Sequence, residues 1–266
     1  MRNENFSLRI AVLLVLLVVS MFSFASASTA IEGYIEVEGV VYPEEGRSLN
    51  QMRRIAIMDG YRYLAERTDT LYVNSTSTVR DLRDLDEAIN TKVEAALRGA
   101  EVVSVTREVD GSFHAVVRIP IYGKSKSLAG AVLKEDVRME DFPKPKFTNI
   151  RSEVNRNEIH YTGLVIDCRG LNLSSAVTPA IKSVGGIEIY AYKNIGYQNA
   201  VGKGLVEYSS DLNATRAGTT PLVIKAVKIS GSCDVVVSDE DAEKILSANQ
   251  SSNILINCAV DRKSVV

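Results

Sequence analysis

The chain has 266 residues, 45% of them hydrophobic, with 31 basic and 33 acidic side chains and a formal net charge of −2. A balance this close to neutral has no basic surplus to release counterions from a phosphate backbone, so nucleic acid is not an expected partner. The length suffices for one large or two ordinary domains with real cores.

Arg2 and Arg9 flank a short basic start, an apolar run follows from Ile10 to Phe24, and Ala25-Ser26-Ala27 puts small residues at the −3 and −1 positions. This is the pattern of a secretory signal peptide over residues 1–27, cleaved after Ala27. The apolar run is shorter than the ~20 residues that span a bilayer. No cysteine adjoins the cleavage site for lipid attachment, and no second long apolar run follows. The expected product starts at Ser28, is exported to the periplasm or cell surface, and has no transmembrane span. Taking Arg2, Arg9 and Glu4 out of the totals leaves its balance near −3.

From Ile31 to Gly123 the signals follow an α+β order. Tyr34–Tyr42 opens with the apolar/polar alternation of a half-buried strand and is stopped by Pro43 and Gly46. Ser48 or Asn50 can cap a helix to about Arg67, with Ile57, Met58, Tyr61, Leu64 and Ala65 on its apolar face. Thr70–Val79 is rich in β-branched residues and reads as one strand. Asp86 caps a second helix that carries Leu85, Ile89, Val93 and Leu97 every four residues and ends at Gly99. Two strands, Glu101–Val109 and Ser112–Tyr122, meet at Asp110-Gly111, which supplies the positive φ angles of a tight hairpin. The domain expected over residues 28–123 is therefore β-α-β-α-β-β, a sheet with two helices.

Residues 124–157 change character. Five lysines and the pair Pro143 and Pro145 make this stretch read as a solvated linker, with a short helix at Leu128–Leu133. Residues 158–266 then read as a second α/β or α+β domain. Its expected strands are Thr162–Cys168, Ile187–Tyr192, Pro221–Ile229, Asp234–Val237 and Asn253–Val260, with a hairpin at Gly185-Gly186. Its expected helices are Val201–Leu212 and Asp239–Ala248, the latter capped by Ser238.

The residues that could carry chemistry are sparse. Three cysteines in an exported chain leave at least one thiol free or paired between molecules. Cys168 and Cys258 sit in apolar runs, where they are either plain buried hydrophobes or a Cys168–Cys258 disulfide, the pairing favoured here. The two histidines, His114 and His160, have neither metal-ligand spacing nor a cysteine or serine in a recognisable nucleophile setting. Asp81, Asp84, Asp86 and Glu87 are interrupted by Arg83, which fits a helix start with surface ion pairs better than a calcium loop. Gly202-Lys203-Gly204 lacks the rest of a phosphate-cradling loop. No catalytic residue, metal site or cofactor is expected.

The segments Glu38-Gly39-Val40, Ala56–Glu66, Val73–Val79, Leu97–Val103 and Asp110–Arg118 resemble, in order and spacing, the LPP20 lipoprotein family. That family includes flagellar outer-membrane and basal-disk proteins of diderm bacteria, and the resemblance spans about residues 31–123. Gly60 departs from it, standing where alanine is more usual. The lipobox cysteine is absent, so anchoring by lipid does not carry over. Gly163–Leu171 and Gly185–Tyr190 are similar to bacterial exported proteins of unassigned function. The resemblance implies a non-enzymatic cell-envelope protein, a structural or scaffold component that associates with itself or other envelope proteins, flagellum-associated or forming filaments or rings. The alternative is a periplasmic or surface ligand-binding module. The expected oligomer edge is the β-branched stretch with Leu71, Val73, Ser75, Ser77 and Val79, lightly charged and open to another strand.

Overall fold

The computed structural model describes residues 33–123, 126–146, 160–209 and 216–263; the expected signal peptide and residues 124–125 and 147–157 of the expected linker lie outside them. The fold class is α+β, with an N-terminal domain of strands and helices followed by a strand-rich region.

The first half is built on β1 (Tyr34–Val41), β4 (Glu101–Arg107) and β5 (Phe113–Pro120), an antiparallel sheet in the order β1-β5-β4. β5 alternates buried and half-buried residues along its length, so Phe113, Ala115, Val117 and Ile119 face the helices. Across that face lies α1 (Leu49–Asp69), started by a capping box between Ser48 and Gln51. The buried stripe of α1 is Met52, Ala56, Gly60, Leu64 and Thr68, not the expected Met58 face, and Met58 is exposed. Two glycines explain the shift. A Cβ on Gly39 of β1 would run into Ala56 O and Gly60 N, and one on Gly60 would stand 2.8 Å from Val117 Cγ2. Helix backbone therefore rests on strand backbone at Gly39–Gly60, and the helix turns its small residues inward.

Between α1 and the β4–β5 hairpin the chain departs from expectation. Thr70–Val79 is not one strand. It folds as β2 (Tyr72–Asn74) and β3 (Ser77–Thr78) around a turn, followed by α2 (Val79–Leu85). The turn forms because Asn74 Oδ1 accepts from Thr76 N, Thr76 Oγ1 and Ser77 N. Thr78 then caps α2 in a reciprocal pair with Asp81. Asp86 caps α3 (Glu87–Arg98) as expected, and Gly111 has φ +86° in the hairpin turn.

The segment expected to be a solvated linker is packed over its described part. All five residues of α4 (Leu128–Val132) except Gly130 are buried. Further on, Glu140 N donates to Lys193 O, Phe142 stacks on Tyr190 with ring centroids 6.4 Å apart, and Lys146 N donates to Glu243 Oε2. The prolines make this stretch extended, and an extended strap can lie flat along the second half. One apolar core runs through both halves, from Val117, Ile119 and Ile121 through Leu128 to Leu164, Val201 and Leu205.

The second half holds two four-stranded sheets. β6 (Leu164–Asp167), β9 (Glu207–Ser209), β10 (Leu222–Lys225) and β13 (Val260–Lys263) form a parallel sheet in the order β10-β6-β13-β9. β7 (Ile181–Ser183), β8 (Glu188–Tyr190), β11 (Lys228–Ser230) and β12 (Asp234–Val237) form a mixed sheet in the order β11-β12-β7-β8. The expected strand Pro221–Ile229 is thus two strands in different sheets, broken at Ala226-Val227. Two short helices, α5 (Tyr192–Ile195) and α6 (Tyr197–Lys203), follow β8. The expected helix Val201–Leu212 stops at Lys203, because Gly204 has φ +72°; its residues 210–212 lie outside the described set. α7 (Asp239–Ser252) is capped by Ser238 and ended by Asn253 at φ +54°. The expected strand Asn253–Val260 is mostly turn for that reason, and β13 begins only at Val260.

Arg262 joins the two sheets. Fully buried on β13, it donates from Nη1 to Cys233 O at 2.7 Å and from Nη2 to Ala180 O at 3.0 Å. Its Nε has no partner, and no carboxylate among the described residues bonds it.

Candidate functional site

His114 has partners that its sequence neighbourhood did not reveal. Nδ1 lies 2.9 Å from Glu38 Oε1 and Nε2 lies 3.1 Å from Ser112 Oγ, so serine, imidazole and carboxylate stand in the order of a hydrolase triad. The i, i+2 spacing of Ser112 and His114 on one strand was the available signal. The chemistry of a nucleophile does not follow. Ser112 donates its hydroxyl proton to Asp110 Oδ1 at 2.6 Å and is fully buried, out of reach of a substrate. The same bonds, from the Ser112 side chain and then its backbone, hold the Asp110 carboxyl below its ordinary pKa. The relay ties the hairpin turn to β1. His160 is exposed, and no cluster of three or more His, Cys, Asp or Glu residues among the described residues could hold a metal ion.

Cys168, Cys233 and Cys258 are all buried and free, so the favoured Cys168–Cys258 disulfide is not formed. The parallel register explains this: Cys168 follows the C-terminal end of β6, whereas Cys258, at φ +54°, lies in the turn before β13, whose first residue pairs with the first of β6, so the two cysteines stand at opposite ends of the ladder.

The expected oligomer edge is the joint between the two halves. Val73 is buried and its carbonyl accepts from both Thr178 N and Thr178 Oγ1, while Tyr72 O accepts from Val177 N. Leu71 O accepts from Val79 N, and Val79 is itself buried at the start of α2. Ser75 lies against Gly231 in the β11–β12 turn, and Ser77 is a half-buried residue of β3. The stretch is extended only at Tyr72–Asn74 and Ser77–Thr78, and the second half already bonds the carbonyls of Tyr72 and Val73.

In the first-half sheet the edges are β1 and β4, each paired only with β5 among the described residues, and they are the longest edge strands of the larger sheets. Ile121 N donates to Gly33 O, and Pro120, opposite Tyr34, has no N–H. Hydrogen-bonded pairs alternate in an antiparallel ladder, so the odd positions of β1 bond to β5. The backbone groups of Tyr34, Glu36, Glu38 and Val40 point to the open edge. On the other side Glu108 N donates to Ser112 O, which turns Thr106 toward β5 and Val105 outward. Between Glu101 and Arg107, β4 reads Val-Val-Ser-Val-Thr, without a charge.

The two edges differ in setting. β4 is largely exposed, Val103 to 42%. β1 borders a groove whose opposite wall is the C-terminal half of α1. One part is a cavity of about 410 Å³ lined by Tyr34, Glu36, Arg67, Tyr72 and Ser174. The other is an opening of about 760 Å³ lined by Val37, Glu38, Tyr42, Asp59, Tyr63 and Glu66. Arg67 and Thr70 belong to both, so the groove is continuous along β1. Across the open face, Arg118 lies 4.8 Å over the Tyr34 ring and bonds Glu101 Oε2, linking all three strands.

Residues 163–261 match a family described as Treponema pallidum Tp0624, second domain. No curated protein matches the chain. No helix among the described residues is long and apolar enough to cross a membrane.

Proposed function

We propose that this chain is an exported, non-enzymatic protein of the envelope of a diderm bacterium, a structural or scaffold component that self-associates through β4. The open, uncharged edge of β4 carries this reading. Natural edge strands are usually blunted by a central lysine, a proline, a bulge or a covering element, and the middle of β4 has neither lysine nor proline, its one such device being the register irregularity between Val102 and Ser104. An antiparallel pairing of two β4 strands about Ser104 sets Val103 against Val105 of the second copy and extends the sheet to six strands. The end charges, Glu101 and Arg107, then oppose with complementary sign, worth about 0.2–1 kcal/mol for a cross-strand pair. The signal-peptide pattern of residues 1–27 supports export, and the LPP20 resemblance of residues 31–123 supports an envelope assembly, a flagellum-associated one being a special case.

Sedimentation over a wide concentration range, with negative-stain imaging, tests the reading. The mature protein is expected to form dimers or larger rings or filaments as concentration rises. Val105→Pro removes an outward N–H and leaves the β4–β5 ladder intact, so it should stay folded and become monomeric. A wild-type monomer throughout overturns self-assembly. A folded Val105→Pro variant that assembles as before overturns the role of β4.

A further inference from the structure

The β1 groove differs from the β4 edge in charge, and that difference selects a different occupant. We infer that the groove binds an extended strand of a partner polypeptide that carries basic side chains at alternate positions, added to β1 by main-chain hydrogen bonds. Four outward-facing residues, Tyr34, Glu36, Glu38 and Val40, offer N–H and C=O groups in strand geometry along a groove already walled by α1. Such edge addition draws affinity from the main chain and specificity from alternate side chains.

Charge identifies the occupant. The groove lining holds four carboxylates, Glu36, Glu38, Asp59 and Glu66, and one cation, Arg67. Asp59 and Glu66 share Arg62, and Glu38 bonds His114, whereas Glu36, opposite Arg118 on β5 and attracted to it, makes no direct hydrogen bond or ion pair among the described residues. Glu36 and Glu38 lie on the open face, where every second side chain of an added strand would sit beside them. Lysine or arginine there makes opposite-charge cross-strand pairs. A second copy of β1 does not fit. Antiparallel self-pairing at its central registers sets Glu36 against Glu38, or Glu38 against itself, and like charges directly opposite are destabilising. On the helix side Val37 and Tyr63, the latter 40% exposed, provide apolar surface for the intervening side chains.

The probe is a synthetic peptide of about eight residues, the usual strand length, alternating lysine and valine. Glutamate–valine and N-methylated lysine–valine peptides serve as comparators. Titration into the full mature protein should show salt-sensitive binding of the lysine peptide. Two charge pairs make the glutamate peptide weaker by about tenfold or more. N-methylation of the amides that face β1 should abolish binding, and methylation of the alternate amides should not. Bound peptide should slow amide exchange at Tyr34, Glu36, Glu38 and Val40, and Glu36→Lys should erase the preference for lysine. Equal affinity for both charge types, indifference to N-methylation, protection elsewhere or no binding would overturn the inference. Because β4 is not involved, Val105→Pro should bind the lysine peptide like wild type. Loss of the β4 assembly reading therefore leaves this result standing, and the reverse also holds.

Discussion

The two halves of this molecule solve opposite problems with their sheets. The first-half sheet is antiparallel, covers one face with α1, and leaves the other face and both edges to solvent. The second half buries the strands of a parallel sheet and holds it to its neighbour with a buried arginine. Antiparallel sheets tolerate a wet face and parallel ones do not, and the longest edge strands, β1 and β4, fall in the first half, whereas the second-half edges β8, β9, β10 and β11 are short. The second half, joined to it by the 72–74/176–178 contacts and by the residue 126–146 strap, acts as ballast that fixes the first sheet in place. Val73, Thr178 and Phe142 are the residues through which that rigidity passes.

The largest effect expected from breaking this contrast is at Arg262. Arg262→Ala leaves Cys233 O without its donor, takes one of two donors from Ala180 O, which keeps Val235 N, and opens a cavity. The cost should be about 3–5 kcal/mol. Because one core spans both halves, urea unfolding should remain a single transition, moved to lower urea for probes in either half. Arg262→Met keeps most of the volume and removes an unpaired buried charge, so it should lose less than half as much. An alanine variant within about 1 kcal/mol of wild type, the ordinary surface-substitution range, would mean that the sheets do not depend on this clamp.

A smaller contrast separates two glycines. Gly39→Ala pushes a methyl into the backbone of α1 at Ala56 and Gly60, where no side chain can move aside. The loss should be about 2–3 kcal/mol, with the helix displaced. Gly202, in α6 of the second half, has open space at its Cβ position and no positive φ. Gly202→Ala should instead gain up to about 1 kcal/mol from helix propensity. Equal effects at the two positions in thermal melts would show that α1 can lift off β1 at little cost, and the groove wall would not be fixed.

What was legible in the sequence was local. Ser48, Asp86, Asp110-Gly111 and Ser238 act on backbone groups within three residues, and each does what its position indicated. Thr70–Val79 misled because a β-branched run does not distinguish a long strand from a hairpin followed by a capped helix. The Thr78–Asp81 pair, three residues apart, was the signal in the sequence that marks the helix start. Long-range features left no local trace. Arg262 finds its acceptors 29 and 82 positions away, and the linker lysines gave no sign that Phe142 would stack on Tyr190. The β1 groove required knowing both that β1 ends the sheet and that α1 borders its free side. Gly39 and Gly60 are the residues that set that overlap.

The smallest effect at neutral pH is expected at the thiols, and it sharpens the contrast because all three lie in the second half. Burial pushes Cys168 up to about 11 and Cys233 up to about 12, and raises Cys258 as well. A thiol held above its unfolded pKa of about 8.5 favours the folded state fully below that value. Its contribution is lost as the pH climbs toward the folded value. Stability from this source should therefore be flat through neutral pH and fall between about pH 9 and the values raised by burial, each thiol contributing at most about 1.4 kcal/mol per unit of difference. Alkylation with iodoacetamide gives the direct reading. The native protein at pH 8 should take up no label, the urea-unfolded protein should take up three, and gels run with and without reductant should agree. Rapid labelling of the native protein at pH 8, while β5 amides stay protected from exchange, would place the weak point in the second half and reverse the assignment of rigidity made to it.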